Sequence, residues 1–139
     1  MKMASNAHSI VAASEPTVEE SPPHAMASAT AEIAEAIHAS AIVTYTMSGT
    51  TAARVARKRP APPILALTPS LASSRRLCLL WGAHSVHTEA VDSYEEMTAK
   101  AAHYAQAEGF ARPKDTIVIT AGIPFHNVGN TNNIRMMQV

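Results

Sequence analysis

The residues best suited to chemistry in this sequence are the hydroxyl side chains of TYTMSGTT, residues 44–51. Six hydroxyl side chains and one glycine occupy its eight positions, between an apolar run at 39–43 and a helix-like run at 52–59. A strand, a hydroxyl-rich turn and a helix often bind phosphate in this order, because the N–H groups at a helix N-terminus carry partial positive charge. The pattern therefore makes this turn a candidate phosphate site.

A second polar loop, GIPFHNVGNTNN at 122–133, follows an apolar run near the C-terminus. In an open parallel sheet, ligands bind beyond the C-terminal ends of the strands, so two such loops at one end can close on a single anion. The alternative is that Ser, Gly and Thr form ordinary turns and helix caps here. Composition leaves both readings open, because neither GxxxxGK[ST] nor GxGxxG is present.

The sequence does not bring groups for acid–base catalysis together. There is no HExxH motif, and no pair of carboxylates falls in a strand-end loop. His126 lies in the second polar loop, where a solvated role competes with contact to an anion. Asp92 and Asp115 fall at the starts of elements, where capping and turn roles are expected. Since general acid–base chemistry needs its groups side by side, we assign no catalytic and no metal-binding residue.

The composition is that of a one-domain protein. The 139 residues are 47% apolar and carry no net charge, which argues against nucleic acid as a partner. The basic cluster at 54–59 is expected to be a solvated helix end. Cys78, the lone cysteine, is expected to be a buried packing residue, and a reducing, cytoplasmic setting fits. No apolar run approaches the ~18 residues of a membrane span.

Hydrophobic periodicity predicts that helices and strands alternate along the chain. The predicted helices are 24–40, 50–59, 70–82 and 93–109, and the predicted strands are 41–45, 63–68, 85–90, 115–122 and 132–139. This order gives a three-layer α/β fold, with an open, mostly parallel sheet of about five strands and helices on both faces. The last two strands have no helix between them, so the C-terminal strand is expected to be antiparallel at the sheet edge, a natural surface for subunit pairing.

More detailed predictions concern the faces and caps of the helices. The apolar face of the first helix is predicted to be Ala25, Ala29, Ile33, Ala36 and Ile37. The apolar residues of the third helix are predicted to be Leu71, Leu77, Leu80 and Trp81. Ser48 or Thr50 is the expected cap of the second helix, and Ser93 with Glu96 forms a capping box on the fourth. Residues 1–23, Ala-rich and then rich in Pro and Glu, are expected to be a partial helix and linker, with the domain at 24–139.

Three segments resemble the C-terminal domain of pyruvate kinase. AIVTYTMSGTTAARVARKRPAPPILALTP has the family's strand, T-x-S-G-x-[ST] loop, helix ending in "RP", and "PI-x-A-x-T" strand. RRLCLLWG is similar to the next helix of the family, and KDTIVITAGIPFHNVGNTNNIRMMQV to its closing strand, TN loop and final strand. The resemblance covers residues 24–139. It implies the regulatory domain of a bacterial pyruvate kinase, without the catalytic barrel.

The resemblance implies a site for a phosphorylated allosteric effector. The residues matching the family's phosphate loop are Thr46, Ser48, Gly49, Thr50 and Thr51. Those matching its closing effector loop are Gly129, Asn130, Thr131 and Asn132. Met47 stands where some members carry Lys or Gln, and the Trp and Arg pair of bisphosphate-binding members is not evident in EAVDSYEEMTAK. These departures favour a monophosphate, AMP or a sugar phosphate, over fructose 1,6-bisphosphate.

The resemblance also implies what lies elsewhere in the enzyme. The family transfers phosphoryl from phosphoenolpyruvate to ADP with Mg²⁺ and K⁺, on a (β/α)₈ barrel of ~250 residues that 139 residues cannot also contain. We therefore expect no cofactor in this chain, no activity of the chain alone, and a homo-oligomer paired through the C-terminal edge strand. Two alternatives stay open: a structural module that binds no ligand, and a small stand-alone enzyme acting on phosphate esters.

Overall fold

The computed structural model describes residues 21–123, 125 and 131–139, which form four helices and five strands. The helices are α1 (Pro22–Ala36), α2 (Thr50–Arg57), α3 (Leu71–Leu77) and α4 (Tyr94–Ala107). The strands are β1 (Ala41–Tyr45), β2 (Ile64–Thr68), β3 (Ala83–His87), β4 (Thr116–Ala121) and β5 (Asn133–Gln138). Residues 1–20, which belong to the predicted partial helix and linker at 1–23, lie outside the described part.

The strands form one sheet in the order β3-β2-β1-β4-β5. β1 is parallel to β2 and to β4, β2 is parallel to β3, and only β5 runs antiparallel, against β4. The predicted mixed sheet with an antiparallel C-terminal edge strand is confirmed. Because β1 is the central strand and all its residues are buried, the turn that follows it has a fixed position at the C-terminal ends of the parallel strands.

Helices cover both faces of the sheet, which confirms the three layers. Val43 and Tyr45 of β1 pack in a cluster with Met97 of α4. Ile42 points the other way and packs with residues of α1 and α2, such as Ala27 and Val55. This division follows from the strand pleat, which sends successive side chains to opposite faces.

The predicted apolar face of α1 is confirmed only in part, since Ile33 and Ile37 are half-buried and pack against the core. The side chains that α1 buries are His24, Ala27, Thr30, Ala31 and Ala34, whereas Ala25 and Ala36 are exposed. The helix is so rich in alanine that several faces have nearly equal hydrophobicity, and packing against the sheet selects one of them. His24 is buried with its Nε2 atom 2.9 Å from Lys58 Nζ, so one of the selected positions is polar.

α3 is shorter than predicted, and this overturns the expectation for Cys78. The helix ends at Leu77 and not at Gly82, and a turn at 78–82 leads into β3, which starts at residue 83. Leu77 is buried, but Cys78 is exposed, and so are Leu79 (89%) and Trp81 (58%). Of the four predicted apolar residues, Leu77 is buried and Leu80 is half-buried against the core, whereas Leu71 and Trp81 are exposed.

α4 begins as its sequence predicts. The hydroxyl of Ser93 accepts the Glu96 N–H at 3.1 Å, and the Glu96 carboxylate accepts the Asp92 N–H at 3.0 Å. In a standard capping box the Glu side chain accepts the N–H of the cap residue itself, which here is Ser93. In this helix it accepts the N–H of Asp92, one residue earlier. Met97, Ala101 and Ala105 are buried against the sheet.

Asp115 supports the turn that leads into β4. Its carboxylate accepts the Arg112 N–H at 2.8 Å. This bond, together with a hydrogen bond from Ser40, lowers the pKa of the Asp115 carboxyl below its usual value. The expected turn role of Asp115 is confirmed.

Tyr45 connects the end of β1 to the segment that precedes α4. Its hydroxyl accepts the N–H of the fully buried Val91 at 3.1 Å, and its ring makes an edge contact with Phe125 at 5.6 Å. Burial raises the pKa of the Tyr45 phenol above its usual value despite this bond. The side chain therefore stays a neutral acceptor throughout the physiological pH range.

Tyr45→Phe is expected to lower the free energy of unfolding by about 1–3 kcal/mol, because it leaves the buried Val91 N–H without its acceptor. Urea titration followed by circular dichroism measures the change. Tyr104→Phe, at a half-buried position of α4, is the matched control and should change stability by less than about 0.5 kcal/mol. Equal effects of the two substitutions would contradict the assigned role of the hydroxyl.

Candidate functional site

The hydroxyl-rich turn joins β1 to α2 at the C-terminal edge of the sheet. The Thr46 N–H donates to the Leu67 carbonyl at 3.0 Å, which extends the pairing of β1 with β2 by one residue. The Thr46 hydroxyl accepts the Gly49 N–H at 2.9 Å. These two bonds attach both ends of the turn to the buried sheet.

The cap of α2 is Gly49, so the prediction of Ser48 or Thr50 is wrong. Gly49 has φ 90° and ψ −4°, a left-handed conformation that favours glycine. The Ser48 hydroxyl instead accepts the Thr50 N–H at 3.3 Å and lies 2.6 Å from the Thr50 hydroxyl. Apart from this bond to the Thr50 N–H, the glycine cap offers the first turn of α2 no side-chain acceptor, so the helix N-terminus can bind an anion.

The five predicted phosphate-loop residues differ in what a ligand can reach. Thr46 and Thr51 are only 4% and 6% exposed, and Gly49 is buried as well. Ser48 and Thr50 are half-buried. A ligand arriving from solvent therefore meets these two hydroxyls and the backbone between them, while the other three residues shape the turn.

The second polar loop reaches the first through Thr131. The hydroxyls of Thr51 and Thr131 are 2.6 Å apart, both residues are buried, and 80 positions separate them in sequence. Asn132 braces its own loop, because its side-chain amide donates to the Ile123 carbonyl at 2.7 Å and accepts the Ile123 N–H at 2.9 Å. The predicted loop residues Gly129 and Asn130 lie outside the described residues, as does His126.

Arg76 of α3 is a site residue that the sequence reasoning missed. Its Nη2 group donates to the Ser48 carbonyl at 3.2 Å and to the Ser73 hydroxyl at 3.0 Å. The Ser73 hydroxyl in turn donates to the Met47 carbonyl at 2.9 Å. α3 follows β2, the strand next to β1, so α3 begins at the same end of the sheet as the turn. In the sequence, the adjacent arginines Arg75 and Arg76 were the feature that could have indicated a cationic side chain near the turn.

Arg76, Ser48 and Thr50 form the polar side of a depression of about 260 Å³, with Leu77 and Leu80 on its apolar side. Ligand pockets are typically about 300–1,000 Å³, so this one suits a small ligand. An exposed guanidinium beside two hydroxyls and a helix N-terminus is a favourable arrangement for a phosphate.

A second depression, of about 630 Å³, lies beyond the end of β3 at the same sheet edge. Its charged and titratable lining residues are His87, Glu89, Lys100 and Tyr104. The Lys100 ammonium donates to the Thr88 hydroxyl at 3.2 Å. The mixture of one carboxylate and one ammonium makes this larger depression less selective for a phosphate dianion than the depression beside Arg76.

The described residues offer no donor set for a metal ion. Within 21–123, 125 and 131–139, no group of three or more His, Cys, Asp or Glu side chains lies close enough to hold one. In the same ranges, no helix combines the length and apolarity needed to cross a membrane.

Comparison with known proteins gives consistent matches. Residues 24–137 match the family model described as "Pyruvate kinase, alpha/beta domain". Two proteins of Agrobacterium vitis named pyruvate kinase are 49% and 46% identical over 130 and 129 residues, covering 94% and 93% of this chain and 27% of each relative. A pyruvate kinase of Methylorubrum extorquens is 38% identical over 122 residues, covering 88% of this chain and 25% of that protein. The chain thus spans about a quarter of the length of these relatives.

Gly49→Ala is expected to lower the free energy of unfolding by about 1–2 kcal/mol or more, because alanine is strained at this φ. An added Cβ would also lie 3.2 Å from Leu77 Cδ2. Gly109→Ala is the matched control, since Gly109 has φ 82° and no atom within 4 Å of its added Cβ. Urea titration should show the larger loss for Gly49→Ala; a larger loss at Gly109 would contradict the tight contact between the turn and α3.

Proposed function

This chain belongs to the pyruvate kinase family, as its C-terminal α/β domain, and we propose that it is the regulatory domain of such an enzyme. In this role it binds a phosphorylated effector in the turn between β1 and α2, and it pairs with a second subunit through β5. The observation that carries the proposal is the exposed Arg76 guanidinium held against Ser48 at the N-terminus of α2.

The chemistry of the turn supports a phosphate ligand. Ser48 and Thr50 offer hydroxyls, and α2 offers backbone N–H groups with the positive end of its dipole. Arg76 adds a full positive charge on the neighbouring helix, and charge-assisted bonds from Arg to phosphate are among the stronger hydrogen bonds in proteins. The buried Thr51–Thr131 contact ties the closing loop to the same turn.

The size of the site supports a monophosphate. The depression beside Arg76 has about 260 Å³, and position 47, where some family members carry Lys or Gln, is Met. AMP and sugar monophosphates such as ribose 5-phosphate are therefore the proposed effectors. In the complete enzyme, effector binding would modulate phosphoryl transfer from phosphoenolpyruvate to ADP, which we assign to the part of the subunit that this chain does not span.

Binding is expected to depend on the phosphate and on Ser48. In calorimetric titrations, AMP or ribose 5-phosphate should bind the chain, whereas adenosine and ribose should not. Ser48→Asp should weaken binding by at least about tenfold, because a carboxylate would face the phosphate in the turn.

Ser28→Asp provides the matched control, since Ser28 is a half-buried residue of α1 outside the site. It should leave the affinity unchanged. If no monophosphate binds, or if Ser48→Asp binds as well as the unsubstituted chain, the effector role is wrong and the alternative of a structural module that binds no ligand gains support.

Pairing through β5 is expected because this strand ends the sheet with an unpaired edge in the described fold. Sedimentation should find a dimer at micromolar concentration, and Met136→Lys, at a position 57% exposed on β5, should shift it toward monomer. Leu71→Lys on α3, 47% exposed, is the control and should not. A monomeric unsubstituted chain, or equal dimers of both variants, would contradict pairing through this edge.

A further inference from the structure

The larger depression, beyond β3, is lined by an ammonium and a carboxylate that do not pair with each other. Lys100 and Glu89 both line this depression of about 630 Å³. Within the described ranges of the chain, neither side chain makes an ion pair, and the Lys100 ammonium has a single hydrogen-bond partner, the Thr88 hydroxyl at 3.2 Å. Opposite charges that line one concavity without pairing can both be satisfied by a ligand that carries both charges.

Hydrogen bonds hold the segments around this depression in place. The Thr88 N–H donates to the Thr68 carbonyl at 2.9 Å, which extends the pairing of β3 with β2 by one residue. The Nε2 atom of His87 donates to the Pro69 carbonyl at 3.2 Å, because a carbonyl oxygen can only accept. The bond from Lys100 to Thr88 then attaches α4 to the end of β3. A ligand would meet an ammonium that is already positioned, which lowers the entropic cost of binding.

The depression also offers apolar surface to a ligand. Pro69, Ala90 and the half-buried Tyr104 line it together with the charged residues. Its volume of about 630 Å³ falls in the range of about 300–1,000 Å³ that is usual for small-molecule pockets. This volume exceeds what one carboxylate and one ammonium need, so the ligand can also bring an apolar group, which would pack against the Tyr104 ring.

We propose that the depression beyond β3 binds a free α-amino acid with an apolar side chain. The carboxylate of the amino acid faces the Lys100 ammonium, its ammonium faces the Glu89 carboxylate, and its side chain packs on Tyr104 and Pro69. A phosphate or a simple amine would satisfy one of the two protein charges and leave the other unpaired. The site is separate from the turn between β1 and α2, so this proposal does not depend on effector binding there.

Three probes with the same carbon skeleton separate the two charges of the ligand. L-Leucine carries both, leucinamide lacks the carboxylate, and 4-methylpentanoate lacks the ammonium. Titrated into the ¹⁵N-labelled 139-residue chain, L-leucine should bind with a Kd of about 1 mM and shift the amide resonances of Thr88, Glu89, Ala90 and Lys100 most. The other two probes should bind at least about tenfold more weakly. Equal binding of all three probes, or no shift at these residues with L-leucine, would overturn the proposal.

Substitutions at the two charged positions test each contact separately. Lys100→Gln should weaken L-leucine binding at least about tenfold without weakening that of leucinamide, which has no carboxylate to lose. Glu89→Gln should weaken L-leucine binding to a similar degree without weakening that of 4-methylpentanoate. Lys114→Gln and Glu95→Gln, at exposed positions outside the depression, are the matched controls and should leave the affinity for L-leucine unchanged. Affinity for L-leucine that survives both site substitutions would contradict the assigned contacts.

A Lys100→Gln variant that fails to fold, as judged by circular dichroism, does not end the test. Glu89 is exposed, so Glu89→Gln should fold, and its binding of L-leucine is then compared with its binding of 4-methylpentanoate. A loss of affinity for L-leucine alone supports the proposal. An equal change for both probes, or no change for L-leucine, overturns it.

Discussion

The candidate site depends on one backbone conformation, the left-handed φ of 90° at Gly49. This residue lets the chain turn from the buried strand β1 directly into α2, and its N–H is held by the Thr46 hydroxyl. The same turn places the Ser48 carbonyl against Arg76 and the Thr51 hydroxyl against Thr131. Three segments distant in sequence therefore meet because a glycine permits a bend that a residue with a Cβ would strain.

The sequence predicts β1, β2 and β4 well, because these strands are short, buried, mostly apolar runs. β3, predicted at 85–90, lies instead at Ala83–His87, where His and Ser interrupt the apolar pattern. β1 begins and ends where it was expected, and the antiparallel last strand follows from the missing helix before it. The buried face of α1 could not be predicted, since its alanines give no face a clear advantage. The end of α3 was also missed, because LCLLW is apolar enough to suggest burial and only the tertiary fold shows that Cys78, Leu79 and Trp81 are exposed.

The site was predicted only in part, for a physical reason. The hydroxyl-rich turn is local, so its residues are contiguous in sequence and visible as a pattern. Arg76 joins it from another helix, and nothing in the spacing alone says that this arginine faces the turn and not solvent. The resemblance to pyruvate kinase supplied the regulatory interpretation, which composition could not provide. The geometry adds a difference in accessibility: Thr46 and Thr51 are buried within the turn, whereas Ser48, Thr50 and Arg76 line the depression beside it.

We propose that a phosphate group binds at the N-terminus of α2, and titration of the ¹⁵N-labelled chain with AMP, followed through its backbone amide resonances, tests this binding. The largest shifts are expected at Ser48, Gly49, Thr50 and Thr51, with smaller ones at Thr131 and near Arg76. Shifts confined to residues 87–104 around the larger depression beyond β3, or no shifts at all, would contradict it.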